Sequence, residues 1–204
     1  MKSRTLHYAA SAGDIATMRR LLSEGATVDA IVDGQTAVHA AVRAGRTNSR
    51  EDVVEFLAQA GANIDALDQN RCTALMNACL NGKVRGSKMA LKLIELGADV
   101  KYVRQSDMAS AIRFAVTRAT PEVLNALIDH GAPVDGPRNS EITPLMKAAV
   151  EDNLDAVKVL VDRGADLGIT CTLPWARGKT AEQIAEQEKK SQILAYLRSK
   201  TPKS

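Results

Sequence analysis

A chain of 204 residues with 45% hydrophobic residues carries enough apolar surface for a substantial core, yet only 3% of it is Phe, Trp or Tyr. Such a core closes through Ala, Leu, Val and Ile at short range, as packed helices with small contact residues do, and this favours an all-helical assembly. A formal charge of +3 is too small to call for nucleic acid by itself, and the odd set Cys72, Cys79 and Cys171, without any CxxC spacing, argues against a disulfide framework or a zinc site.

The polar opening, Met1 to Thr5, runs straight into a patterned segment, with no apolar stretch of signal-peptide or membrane-spanning kind. The expected address is therefore cytoplasmic or nuclear, without membrane contact. A first helical run, Met18, Leu21 and Leu22, ends at Gly25-Ala26. The same ending recurs at Gly61-Ala62, Gly97-Ala98, Gly131-Ala132 and Gly164-Ala165, each after an apolar run of helical period, at spacings of 36, 36, 34 and 33 residues. In each the glycine is expected at the position where a helix stops in the left-handed conformation.

Beyond each stop comes a short extended piece, such as Val28-Asp29-Ala30 or Ile64-Asp65-Ala66, and then a turn into a further helix. Those helices open on a capping threonine in Thr36-Ala37-Val38-His39-Ala40-Ala41, Thr73-Ala74-Leu75-Met76-Asn77-Ala78-Cys79 and Thr143-Pro144-Leu145-Met146-Lys147-Ala148-Ala149. Paired small residues, Ala9-Ala10, Ala40-Ala41, Ala78-Cys79 and Ala148-Ala149, allow neighbouring helices to approach closely. One unit is thus a helix, a turn, a helix and a hairpin.

This unit strongly resembles that of the ankyrin-repeat family, D-x-x-G-x-T-P-L-H-x-A-x-x-x-G-x-x-x-V-V-x-x-L-L-x-x-G-A-x-V-N-A, and five copies keep phase. The resemblance implies an all-α ankyrin-repeat solenoid. Repeats fall at about 4–33, 34–70, 71–104, 105–138 and 139–170, with a degenerate sixth unit at 175–198 as a cap. The whole of 1–198 is then a single domain, with a polar tail at 199–204.

Two repeats are longer than the others. From the capping Thr to the stop glycine the distance is 21 residues for Thr143 to Gly164, but 25 for Thr36 to Gly61 and 24 for Thr73 to Gly97. The extra residues are expected between the two helices, where Arg46, Arg50, Lys83, Arg85 and Lys88 would make a pair of basic loops. They are read either as solvated loops or as a contact for an acidic surface or a nucleic-acid backbone.

The family resemblance further implies a non-catalytic module that holds another protein on its concave face and hairpin tips. The matching positions are Val32, Asp33, Gln35 and Arg43 in repeat two, and Gln69, Asn70, Cys72 and Leu80 in repeat three. Repeat four supplies Ser106, Asp107, Ala109 and Thr117, and repeat five Asn139, Ser140, Ile142 and Val150. Cys72 is expected to be exposed. Trp175 and Tyr102 are each either an anchor for a partner or a cover for the core. His7 and His39 share one motif position, at which the resemblance implies hydrogen bonds that knit the turn. No nucleophile, base or phosphate loop stands out, no metal or cofactor is implied, and the chain is expected to act as a monomer.

Overall fold

The computed structural model describes residues 2–44, 50–81 and 84–201. Its helices come in pairs, divided between two compact units, residues 1–99 and 100–204. The first unit holds α1 (Lys2–Ala12), α2 (Ile15–Ser23), α3 (Ala37–Arg43), α4 (Glu51–Gln59), α5 (Ala74–Leu80) and α6 (Arg85–Glu95). In it α1 packs on α2 and α3, α3 on α4 and α5, and α6 on α4 and α5. Leu6, Met18, Leu57, Leu75, Met76 and Leu93 are its large, fully buried side chains, with Ala10, Ala41 and Ala78 wholly buried where first helices meet.

The second unit begins with a short antiparallel hairpin, β1 (Val103–Arg104) and β2 (Ala109–Ser110), in which Val103 faces Ser110 and Arg104 faces Ala109. Then follow α7 (Ala111–Arg118), α8 (Pro121–Asp129), α9 (Pro144–Val150), α10 (Leu154–Asp162), a 3-10 turn (Pro174–Ala176), α11 (Ala181–Gln187) and α12 (Ser191–Lys200). Here α9 packs on α7, α10 and α11, and α12 packs on α11 and α10. The last helix runs to Lys200, two residues beyond the end expected for that unit.

The helix ends have local causes. Thr73 and Thr143 accept from the backbone N–H of Met76 and Met146 at 3.3 and 3.2 Å, satisfying donors that the first turn leaves open. Thr180 and Gln183 form a reciprocal capping box. At the stops, Gly97 has φ +86; its N–H donates to the Ile94 carbonyl at 2.9 Å, and that of Ala98 to the Leu93 carbonyl at 3.0 Å. The Gly-Ala dipeptide is therefore the pair of donors that closes the helix in a Schellman motif.

One expectation about the longer repeats is corrected. Arg85 and Lys88 do not lie in a loop; they occupy the first turn of α6, which has 11 residues where α4 has nine. The additional residues there extend a helix because their apolar partners, Met89, Ala90, Leu93 and Ile94, keep the helical period backward through Gly86 and Ser87, both buried. Arg46 and Lys83 lie outside the described residues.

Candidate interaction surface

Successive hairpins are tied together at their bases. The Asp29 carboxylate accepts from the Asn63 backbone N–H at 2.9 Å, Asp65 accepts from Asp99 at 2.9 Å, and Asp135 accepts from Asp166 at 2.9 Å. One step of this ladder is missing within the second unit. Lys101 stands where the other repeats have the acceptor aspartate, and Pro133, which has no N–H, stands at the donor's place.

The turns above the first helices are fixed from below by histidines. His39 is fully buried; its Nε2 meets the Cys72 carbonyl at 3.1 Å, so that nitrogen carries the proton, and Nδ1 accepts from the Thr36 hydroxyl at 2.9 Å. Burial pushes its pKa down from the usual histidine value, in keeping with the neutral ring. His7 joins α1 to the hairpin that leads into α3, its Nε2 meeting the Gln35 carbonyl and its Nδ1 the Ser3 carbonyl, each at 2.8 Å. The knitting role that the resemblance implied for both histidines is the one observed.

Asp68 organises the tip between α4 and α5. Its carboxylate accepts from the backbone N–H of Asn70 at 2.8 Å and of Cys72 at 2.9 Å, and from the Asn77 side chain at 3.0 Å. Burial works against its charge, but these hydrogen bonds prevail, Asn77's first, and hold the carboxyl below its usual range.

On this frame most of the expected contact residues reach solvent. In the first unit Asp33, Arg43, Gln69, Asn70 and Leu80 are exposed and Val32 and Gln35 half-buried. In the second, Ser106, Asp107 and Asn139 are exposed and Thr117, Ser140, Val150 and Tyr102 half-buried. Asp107 is already held by Arg104 at 2.8 Å, which fixes the β1–β2 hairpin, and the pairing keeps its carboxyl below the usual range.

Three of these residues are corrected. Cys72 and Ile142, at 4% and 5% exposure, are buried, as is Ala109. Each immediately precedes the helix-capping residue, and the extended backbone there turns that side chain inward beneath the helix it precedes. Cys72 is therefore no exposed thiol. Cys79 is fully buried too, and burial pushes its thiol up to about 12, far from a nucleophile's range.

Two side chains that sequence reasoning missed are the most exposed large apolar groups of the tips and first helices: Tyr8 at 66% and Ile31 at 68%. Tyr8 belongs to the column of first-helix residues that continues as Ala40 and Asn77, one place after the motif histidine, so the phase of the repeat could have found it. Ile31 follows its Gly-Ala stop at the spacing of Leu67 in the next repeat, while Val32, whose N–H donates to the Gln35 carbonyl as that of Asp68 does to the Cys72 carbonyl, holds the place of Asp68; an apolar residue in that turn carries no mark of exposure in the sequence. Trp175, at 44% exposure, sits in the 3-10 turn next to buried Ala176.

Of the remaining basic residues, Lys88 and Arg85 project from α6, and Arg50 is half-buried with its guanidinium over Gly13. Among the described residues no three His, Cys, Asp or Glu side chains are grouped so as to hold a metal ion, and no helix is long and apolar enough to cross a membrane.

Paired helices with tied hairpins and outward-facing apolar side chains define a helical repeat protein. The ankyrin-repeat family model, describing three copies, matches residues 6–104, 85–171 and 112–203, and the chain belongs to the ankyrin-repeat family. It is similar to the mouse B-cell lymphoma 3 protein homolog, 29% identical over 168 residues, 79% of this chain and 37% of that protein. Among solved structures it is similar to the human ASB11 ankyrin repeat domain, with a TM-score of 0.76 and 23% identity over 97% of this chain and 84% of that one. An ankyrin repeat domain from Acinetobacter baumannii AYE gives a TM-score of 0.78 and 25% identity over 96% and 97%. The chain spans well under half the length of its curated relatives, 6% in the case of the human BCL-6 corepressor-like protein 1. Ankyrin repeats typically bind other proteins and are generally not catalytic.

Proposed function

We propose that this protein holds a protein partner through the exposed side of its first helices and its hairpin tips. The observation that carries this reading is the exposure of Tyr8, Ile31 and Leu80 in the first unit and Trp175 in the second, on elements whose backbone is already tied down. Aromatic and aliphatic anchors surrounded by polar residues such as Gln69, Asn70 and Asn139 are the composition of a protein-binding surface. Holding them on a fixed backbone reduces the ordering cost of association.

The test is affinity capture from the native source with the intact chain as bait, against Tyr8→Ala, Leu80→Asp and Trp175→Ala. A specific partner should be retained by the parent, lost with at least one variant and only mildly sensitive to added salt. Binding that instead collapses steeply with salt and survives all three changes, yet falls with Arg85→Ala and Lys88→Ala, would mean a polyanion contact and would overturn the proposal.

A further inference from the structure

Between α1 and the hairpin that leads into α3 lies a hollow of about 140 Å³, walled by Tyr8, Val32 and Gln35, with Ala40 of α3 in its lining and Arg4 and Asp33 at its edge. Its origin is a difference in side-chain size within one column. Tyr8 and Asn77 occupy the same place in α1 and α5 as Ala40 does in α3, so the small residue leaves a gap on that face. The backbone of the hairpin wall is held in place: Val32 and Gln35 exchange backbone hydrogen bonds at 2.9 and 3.1 Å, and His7 holds the Gln35 carbonyl from below. The hairpin side of the hollow is thus in place before anything enters it.

Its size selects one side chain. The hollow is open to solvent on one side and has His7 and Ser11 in its lining beside the apolar surfaces of Tyr8, Val32 and Ala40; about 140 Å³ is room for one leucine or phenylalanine side chain but not for a backbone segment. Charge selects the neighbour. Arg4 is already paired with Asp33 at 3.2 Å, whereas Arg43 is exposed and has no counter-ion or hydrogen-bond partner among the described residues. Arg43 follows Ala40 by three residues on one helix, which places their Cβ atoms about 5–6 Å apart.

We infer that the hollow takes a leucine- or phenylalanine-sized side chain of a partner segment that carries an acidic residue beside it, the carboxylate meeting Arg43. This rests on the protein-binding reading above and specifies the partner's chemistry at one place. Arg43 supplies orientation through a charge-assisted hydrogen bond, and the hollow supplies the apolar burial.

The test is selection of random heptapeptides displayed on phage against the intact chain, followed by titration of the enriched peptides. Leu or Phe with an adjacent Asp or Glu should be enriched, and binding should shift the amide resonances of Tyr8, Ala40 and Arg43. Ala40→Met fills the hollow and should weaken those peptides at least tenfold. Arg43→Glu should weaken them about as much and redirect the selection toward Lys and Arg. Thermal melts of both variants confirm that they fold, and Tyr8→Ala, which opens the hollow, gives an independent loss should either fail to fold. Enrichment of polar or basic peptides, no enrichment, or equal binding to parent and Ala40→Met would overturn the inference. Peptides lost with Trp175→Ala but indifferent to Ala40→Met would sink the hollow while leaving the protein-binding proposal standing.

Discussion

His39 shows how far one side chain is committed to the frame. Its ring is neutral because one nitrogen must donate to the Cys72 carbonyl while the other receives the Thr36 hydroxyl, and burial lowers its pKa. A group with a depressed folded pKa binds fewer protons in the native state than in the unfolded one once the pH falls below about 6.5. Its contribution to stability is therefore present above that pH and lost as the pH drops toward the folded value. Urea melts at pH 7.5 and 5.5 should show a larger acid-induced loss for the parent than for His39→Gln, and an equal loss would contradict the assigned ring state. The sequence revealed this histidine through its repeated motif position. Burial of Cys72 and Ile142 was not legible in the same way, since the residue before a cap alternates between inside and outside with a small rotation of the extended backbone. Gln35, at that place in the second repeat, is half-exposed.

The elements themselves were legible wherever a special conformation demands a particular residue. Gly97, with φ +86, has open space where a Cβ would lie, so the cost of a side chain there is purely conformational. Gly97→Val should lower stability by about 1 kcal/mol or more, because a β-branched residue at positive φ is strongly disfavoured. A thermal melt superimposable on the parent's would remove this explanation of the helix stop. At the opposite ends, Thr143→Ala should cost about 1 kcal/mol through loss of the bond to the Met146 N–H, measured by urea unfolding. Thr36 differs, since its hydroxyl serves His39 and makes no bond to the helix N-terminus. The length of α6 escaped sequence reasoning for a physical reason. Extra residues between two apolar runs read alike as loop or as added helix until the buried partners of Gly86 and Ser87 are known.

At the scale of the whole molecule, cohesion between repeats is local: the hairpin bonds, the histidine bonds and the Asn81 and Asn153 side chains, which donate to the Val42 and Val116 carbonyls at 2.9 and 2.8 Å, all join one repeat to the next. Stability in such an array is close to a sum of terms within repeats and between neighbours, so a missing link is felt where it occurs. The aspartate ladder lacks its step at Lys101 and Pro133, where acceptor and donor are both absent, and that coincidence makes a sharp experiment available. Lys101→Asp alone supplies a carboxylate with no N–H to receive, and Pro133→Asn alone supplies an N–H with no carboxylate to meet. Together they rebuild the arrangement seen for Asp65 and Asp99. The double variant should therefore exceed the sum of the two single changes by about 0.5–1.5 kcal/mol, the net worth of one such hydrogen bond. The comparison also cancels the separate effect of removing a proline, which loosens the unfolded chain whichever residue stands at 101. Urea unfolding of the four proteins gives the coupling directly. A value near zero would mean that the hairpins hold their spacing through the packing of their helices, with the carboxylate bonds incidental to it.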